Sequence, residues 1–142
     1  MQRTLQIGCI LLALAGGFYA AQMSDFSQQE HRPAELSDYC TLSTISCQQH
    51  KVTMTLASDH VQPLVATPIH IDWPDTAADT LLLSMQGLEM EMGEVRFMLQ
   101  RNQQGIFTAD IILPVCTAGS MTWLGTLTDG QQTVYPAIRM QR

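Results

Sequence analysis

From near residue 50 onward, apolar and polar side chains alternate with a period of two residues. Val52, Met54 and Leu56 alternate with polar residues, and similar alternation recurs in 69–73 and 95–100. Because successive side chains of a β-strand point to opposite faces, each segment predicts a strand with one buried face. Further strands are predicted over 80–86, 88–92, 105–113, 120–127 and 132–140.

Turn-forming residues separate these segments at short intervals, among them Pro63, Pro68 and the pair Asp129-Gly130. No amphipathic helix pattern interrupts them. Seven or eight short strands in roughly 95 residues are typical of two packed antiparallel sheets, so we predict an immunoglobulin-like antiparallel β-sandwich. Pro136 lies inside the last predicted strand and predicts an edge position, because proline cannot donate a hydrogen bond to a central ladder.

The first 23 residues differ in composition from the rest. A short start containing Arg3 precedes an apolar run over 5–21, interrupted only by Gln6. As a helix this run would be about 26 Å long, near the lower limit for crossing a bilayer, so it suits a signal peptide or a membrane anchor. Signal peptidase favours small residues at the last and third-last positions, and Phe18 and Tyr19 break that pattern, so we expect an uncleaved transmembrane helix over 1–23.

Charges beside this helix predict which side of the membrane the rest of the chain occupies. Arg3 lies on the amino-terminal side, and Asp25 and Glu30 lie on the other. The positive-inside rule leaves the amino terminus in the cytoplasm. We therefore expect a single-pass protein of the bacterial inner membrane, with a polar spacer over 24–39 and a periplasmic domain over 40–142.

The charge balance excludes one class of partner. The chain has 7 Lys and Arg against 13 Asp and Glu, and the predicted anchor contributes only Arg3, so the remainder stands at 6 minus 13, or −7. An acidic domain without a basic patch is a poor ligand for nucleic acid or anionic lipid. Cations or basic partners suit it better.

Three cysteines follow the predicted anchor, in a compartment that permits disulfides. Cys40 and Cys47 enclose a short loop that a disulfide could close, which would leave Cys116 as a lone thiol. A disulfide of this span contributes on the order of 2–3 kcal/mol in the chain-entropy model. The spacing also permits a metal-binding or redox role for the pair, because connectivity does not follow from sequence.

Several soft sulfur atoms lie among the strand-like segments. On a strand, Met90 and Met92 would share one face and the intervening glutamates the other. If Cys116 and Met121 approach the methionine pair, the four residues form a sulfur-rich set suited to Cu(I). The same residues also suit a β-sandwich core, because methionine fills irregular gaps and a free cysteine behaves as a small buried hydrophobe.

Motifs for catalysis are missing from the sequence. It contains no Gly-x-Ser-x-Gly elbow, no phosphate-binding glycine loop and no His-Glu-x-x-His, so we expect no enzyme activity. The histidines are His31, His50, His60 and His70, none at the spacing of a local ligand pair. His50 follows Cys47 in a Cys-x2-His arrangement that could ligate a metal if the cysteines are not paired.

A group of segments resembles the FixH/YtkA-like family of membrane-anchored bacterial domains. The resemblance spans about residues 40–127. The segments that bear it are Gly-Leu-Glu-Met-Glu-Met-Gly at 87–93, the strand with Arg96 and Leu99, Gly-Ile-Phe at 105–107, Leu-Pro-Val-Cys at 113–116 and Met-Thr-Trp at 121–123. It implies a small periplasmic sandwich, and in some members a part in copper delivery to respiratory oxidases. Cys116 departs from the family pattern, because family members often have an aliphatic or small residue near the last hairpin.

Two functions are consistent with these observations. The first is a non-catalytic, membrane-tethered periplasmic accessory protein that binds Cu(I) and assists assembly of a metalloprotein such as a respiratory oxidase, with a cuproprotein as its client. The second is a metal-free interaction module that docks on a membrane complex through a sheet edge or an exposed patch. An anchor would raise the effective concentration of the domain beside a membrane-embedded client in both cases.

Overall fold

The alternation seen in the sequence forms strands whose inward side chains are buried. The computed structural model describes residues 35–142. In β3 (Val52–Leu56) and β4 (Thr67–Asp72), burial alternates residue by residue. The other strands are β1 (Cys40–Thr41), β2 (Cys47–Gln49), β5 (Thr80–Gly87), β6 (Glu94–Arg101), β7 (Phe107–Ile111), β8 (Ser120–Thr128), β9 (Thr133–Val134) and β10 (Pro136–Gln141).

The predicted anchor over 1–23 and the spacer up to residue 34 lie outside the described residues. The rest of the predicted spacer contains a short 3-10 helix, Leu36–Asp38. Within residues 35–142, no helix has both the length and the apolar character needed to cross a bilayer.

Backbone pairing links nine strands in one path, in the order β1-β10-β8-β5-β6-β7-β4-β3-β2, while β9 pairs with β8. All these pairs are antiparallel except β1 with β10. The predicted all-β architecture is therefore confirmed, as a sheet that folds into a sandwich or near-barrel. Its inward faces enclose one core, in which Trp123 and Phe107 are the largest fully buried side chains.

The two ends of the path meet at a seam. No backbone ladder joins β1 to β2 in the described part of the chain, but the predicted disulfide between Cys40 and Cys47 connects them, with the two Cα atoms 5.9 Å apart. The disulfide, together with the isolated backbone bridge between Val61 and Met140 of β10, closes the sheet on itself. A strand edge left open would expose backbone groups to other chains, and closure removes that liability.

One side chain completes the seam. The Gln49 amide donates to the Asp38 carbonyl at 2.9 Å, and its oxygen accepts from the backbone N–H of Tyr135 at 2.6 Å. The Tyr135 ring also meets the Tyr39 ring edge-on, with centroids 6.0 Å apart. Glutamine can bridge two backbone segments in this way because its amide has both a donor and an acceptor.

The predicted last strand, 132–140, is split at Tyr135 into β9 and β10. The expectation that Pro136 marks an edge strand is wrong, because β10 lies between β1 and β8. Pro136 is the first residue of β10 and precedes the ladder to β8, which starts at Ala137. At that position the strand loses no hydrogen bond to proline, which is why the residue is tolerated inside the sheet.

Replacing both seam cysteines with alanine should destabilise the fold. We expect Cys40→Ala combined with Cys47→Ala to lower the free energy of unfolding by about 2–3 kcal/mol, because the unfolded chain is no longer cross-linked. Urea denaturation of the oxidised proteins measures the difference. Under strong reductant the wild type should fall to the level of the double variant, and a loss below about 0.5 kcal/mol would contradict closure by the disulfide.

Candidate functional site

The segment 88–93, between β5 and β6, forms a loop, which we call the methionine loop. The sequence predicted a strand over 88–92, and this is wrong, since β5 ends at Gly87 and β6 begins at Glu94. Gly93 has a φ of 75°, a left-handed conformation that favours glycine and ends the loop. The predicted strand faces, with sulfurs on one side and carboxylates on the other, therefore do not form.

Glu89 fixes the methionine loop to the neighbouring strand. Its Oε2 accepts from the backbone N–H of Thr122 at 2.7 Å, and its Oε1 accepts from the Thr122 hydroxyl at 2.9 Å. The Leu88 N–H also donates to the Thr122 carbonyl at 2.9 Å. Residue 122 of β8 thus holds the loop through both its backbone and its side chain.

A guanidinium group joins this network from β10. Arg139 lies 3.3 Å from Glu89 Oε1, donates to the Thr122 hydroxyl at 2.6 Å and reaches Ser120 Oγ at 3.1 Å. Charge-assisted hydrogen bonds such as these are stronger than neutral ones. The loop is therefore held in one position relative to two strands.

The protonation of Glu89 reflects these contacts. Partial burial raises the pKa of Glu89, but the hydrogen bonds from Thr122 outweigh it and the nearby Arg139 adds to them, so the pKa lies below its ordinary value of 4.5. Groups that hydrogen-bond to a carboxylate favour its charged form. The Glu89 carboxylate is consequently ionised at neutral pH.

The fixed loop turns two apolar side chains outward. Leu88 is 48% exposed and Met90 is 37% exposed. Below them is a cleft of about 310 Å³, lined by Gln86, Gly87, Leu88, Glu91, Met92, Gly93 and Glu94. Met92 is half-buried and packs against the core from this cleft.

Met121 closes the barrel interior next to the same loop. A Cβ added at Gly87 would overlap Met121 Cε, and would lie 3.5 Å from its sulfur and 2.5 Å from the Met90 carbonyl oxygen. Only glycine leaves room for both. The Met121 side chain is 1% exposed, so it lies against the loop backbone and is shielded from solvent.

Cys116 is the fourth residue of the predicted copper set. It is 2% exposed and unpaired, and its thiol donates to the Ala118 carbonyl at 3.1 Å. The backbone around it is fixed as well, because Arg142 donates to the Cys116 carbonyl at 2.7 Å. The Cys116 thiol therefore has a hydrogen-bond partner two residues away and little contact with solvent.

The four predicted residues thus divide by exposure. Met90 is exposed on the methionine loop and Met92 lines the cleft, whereas Met121 and Cys116 lie in the core. The structure also brings Met121 against the backbone of Met90 at Gly87. Met121 and Cys116 are buried among core residues, which is the environment that the packing alternative predicts for them.

Other metal-binding arrangements are absent from residues 35–142. No three side chains of His, Cys, Asp or Glu converge there in a way that could hold a metal ion. His50 lies in the tight β2–β3 turn with a φ of 48°, followed by Lys51 with a φ of 68°. Its predicted partner, Cys47, is in the disulfide, so the Cys-x2-His pair does not form.

Sequence reasoning missed the residues that position the loop. Glu89 and Arg139 are 50 positions apart in the chain and meet only because β8 lies between β5 and β10. No local spacing could have predicted that pairing. The need for glycine at position 87 could have been suspected from the sequence. A glycine at the end of an apolar strand often marks a close approach of another backbone segment.

No family model, curated protein or solved structure matches the chain.

Removing the Glu89 charge should loosen the methionine loop in a pH-dependent way. At pH 7 we expect Glu89→Gln to lose about 0.5–1 kcal/mol, a low value because the carboxylate is partly exposed. Since the folded-state pKa is depressed, the wild-type advantage is full above about pH 4.5 and disappears as the pH falls through the folded-state value. Denaturation curves from pH 7 to pH 3 measure this difference.

The matched control is Glu91→Gln, which removes an exposed charge from the same loop. It should change stability by less than about 0.5 kcal/mol. An equal loss in both variants, or a Glu89→Gln deficit that stays constant in acid, would contradict the role assigned to Glu89.

Proposed function

We propose that this protein is a membrane-tethered accessory protein whose immunoglobulin-like domain, on the periplasmic side of the bacterial inner membrane, docks on a membrane protein complex without a catalytic role. The observation that supports docking best is the methionine loop, which is fixed by Glu89 and presents Leu88 and Met90 to solvent. Exposed apolar side chains often mark interaction sites. A surface already held in its binding conformation loses less entropy on association.

The location rests on two observations of different kinds. The Cys40–Cys47 disulfide suits an oxidising compartment. The apolar run over 5–21 and the flanking charges suit a helix whose amino terminus stays in the cytoplasm. Both are consistent with a domain outside the inner membrane and beside its client.

The acidic balance of the chain suits the same role. With 13 acidic against 7 basic residues, the domain is repelled by anionic lipid headgroups. The cleft below the loop contains Glu91 and Glu94, the second of which is paired with Arg96. An apolar rim next to carboxylates fits a partner surface that combines apolar and basic side chains.

Polar substitutions at the rim should release the protein from its complex. In mildly solubilised membranes of the native host, we expect the full chain to migrate on native gels with a larger assembly. Leu88→Ser combined with Met90→Ser should shift it to its own mass, because the apolar contact area is lost. Quantitative immunoblotting of the native gel measures the bound fraction.

The control substitutes exposed apolar residues elsewhere, Ile45→Ser combined with Ile112→Ser, which are 78% and 48% exposed in the wild type. This variant should stay in the assembly. Wild-type protein that migrates only at its own mass, or equal release by both double variants, would refute docking through the methionine loop.

A second candidate function, Cu(I) handling, is favoured by the position of Met121. Its sulfur lies beside Gly87, under the backbone of Met90 and next to the cleft that Met92 lines. Three thioethers near one loop are soft ligands that suit Cu(I). Cys116, the other predicted ligand, would have to give up its hydrogen bond and its burial to join them.

Copper titration distinguishes the two functions. If the loop holds Cu(I), the full chain under reducing conditions should bind one equivalent with submicromolar affinity in competition with a chromophoric Cu(I) chelator. Met90→Leu combined with Met92→Leu should weaken binding at least tenfold, because leucine keeps the volume and removes the donor sulfur. Binding that Met98→Leu weakens equally would instead indicate non-specific thioether contacts, and no binding would leave only the docking function.

A further inference from the structure

Among the strands of residues 35–142, β6 is paired along only part of the side that faces away from β5. Its ladder with β7 contains two residue pairs, Gln100 with Thr108 and Arg101 with Phe107. The strand itself begins six residues earlier, at Glu94, and is paired with β5 along its length. Within residues 35–142, no strand lies beside 94–99 on the side away from β5.

The register shows which backbone groups face this open side. The Arg101 N–H donates to the Asp79 carbonyl, toward β5. Hydrogen-bonded and non-hydrogen-bonded pairs alternate along an antiparallel ladder. The backbone N–H and C=O groups of the odd-numbered residues of β6 therefore point to β5. The backbone N–H and C=O groups of the even-numbered residues, Met98 among them, point away from β5. Those of Gln100 do so where this residue pairs with β7.

The side chains at this opening are apolar and incompletely covered. Val95 and Phe97 point toward the core from β6, yet both are only half-buried, and so is Ala109 on β7. Leu99, next to the two-pair ladder, is fully buried. Burial on the inner face of β6 therefore decreases as β6 and β7 cease to pair.

The opening is continuous with the site described above. Glu94, the first residue of β6, lines the cleft, and Met92 packs on the core immediately before it. The exposed rim of the methionine loop therefore leads into the open edge of β6. One extended ligand could follow both surfaces.

We propose that the partner contributes an extended β-strand that pairs with the open edge of β6 over residues 94–99. This inference rests on the proposed docking function and specifies the chemistry of the partner. Main-chain hydrogen bonds would supply affinity, and side chains at alternate positions would supply specificity. The length of the edge suits about six residues of partner, or roughly 20 Å of strand.

The chemistry of the edge defines the partner sequence. Positions that face inward meet Val95 and Phe97, so they require apolar side chains that complete the cover of the core. Outward positions lie beside Glu94, Arg96 and the 66% exposed Met98, and suit polar residues. The expected ligand is therefore a strand with apolar and polar residues in alternation.

Other occupants fit the edge less well. The segment 24–34 of this chain is polar, with Phe26 as its one large apolar residue, so it cannot supply alternating apolar side chains. Symmetric pairing of two copies centred on residue 96 would place Arg96 opposite Arg96, which is unfavourable. A strand from a different protein avoids both problems.

A designed peptide tests this inference on the full chain in lipid nanodiscs. The probe is a fluorescent nine-residue peptide, Lys-Thr-Val-Thr-Val-Thr-Val-Thr-Lys, measured by fluorescence anisotropy. We expect binding in the micromolar range. A peptide of the same sequence with N-methyl groups on alternate residues should bind at least tenfold more weakly, because it lacks hydrogen-bond donors along one edge.

Two protein variants distinguish a contribution of the β6 backbone from a contribution of the Met98 side chain. Met98→Pro removes the outward backbone N–H and should abolish binding, whereas Met98→Ala retains it and should bind within about threefold of the wild type. Hydrogen exchange followed by mass spectrometry adds a direct readout. Peptide should slow exchange in 94–99 and leave β5 unchanged, because β5 is already paired on both sides.

Each contrary outcome is specific. Equal binding by the N-methylated peptide, or protection away from 94–99, would overturn strand addition, and these readouts remain informative if Met98→Pro does not fold. A dimer of the full chain that Met98→Pro dissociates would assign the edge to a second copy and overturn the proposal. If Leu88→Ser with Met90→Ser releases the native complex but Met98→Pro does not, docking stands and strand addition fails.

Discussion

The architecture depends on closure of one sheet across the seam between β1 and β2. Backbone pairing does not join these two strands directly. The link consists of the Cys40–Cys47 disulfide and the bridging amide of Gln49, and beside them Val61, in the connection after β3, exchanges backbone hydrogen bonds with Arg139 and Gln141 of β10. Closure holds the inward faces of all the strands around one core. A covalent link suits this position because the two short strands, β1 with two residues and β2 with three, each pair with another neighbour and form no ladder with one another.

The seam and the open edge of β6 are complementary features of the same sheet. The path β1-β10-β8-β5-β6 and the path β7-β4-β3-β2 are joined by two residue pairs at one place. At the other place they are joined by the disulfide and by the isolated bridge from Val61 to Met140. Natural sheets usually protect their edges, because an unpaired edge can template the addition of another strand. Here the seam is closed covalently, while β6 keeps an edge with half-buried apolar residues beside it.

The methionine loop connects this architecture to function. Its position is set by an ion pair and hydrogen bonds among Glu89, Thr122 and Arg139, at the surface above Met121. The energy of each contact is modest, but together they remove the freedom of a six-residue loop whose own backbone forms no strand. Both candidate functions use this fixed geometry, one for its apolar rim and the other for its thioethers.

Local pattern was sufficient to predict much of the fold. Strands around 52–56, 69–72 and 95–100, the all-β class and the Cys40–Cys47 pairing are all confirmed, because side-chain alternation and a short cysteine spacing are properties of neighbouring residues. The same reasoning placed a strand over 88–92, where alternation of Leu, Glu and Met suited one. Contacts with Thr122, more than 30 residues away, decided that this segment is a loop.

The order of apolar, acidic and sulfur-containing side chains is a local property of the chain, and its two-residue period is enough to specify β-strands. Which strands become neighbours depends on how the whole chain packs. That choice placed Arg139 beside Glu89, buried Cys116 and Met121, left Met90 partly exposed and limited the β6–β7 ladder to two residue pairs. The physical reason is that pairing in a sheet joins segments distant in sequence, and the free energy of that pairing depends on the whole core.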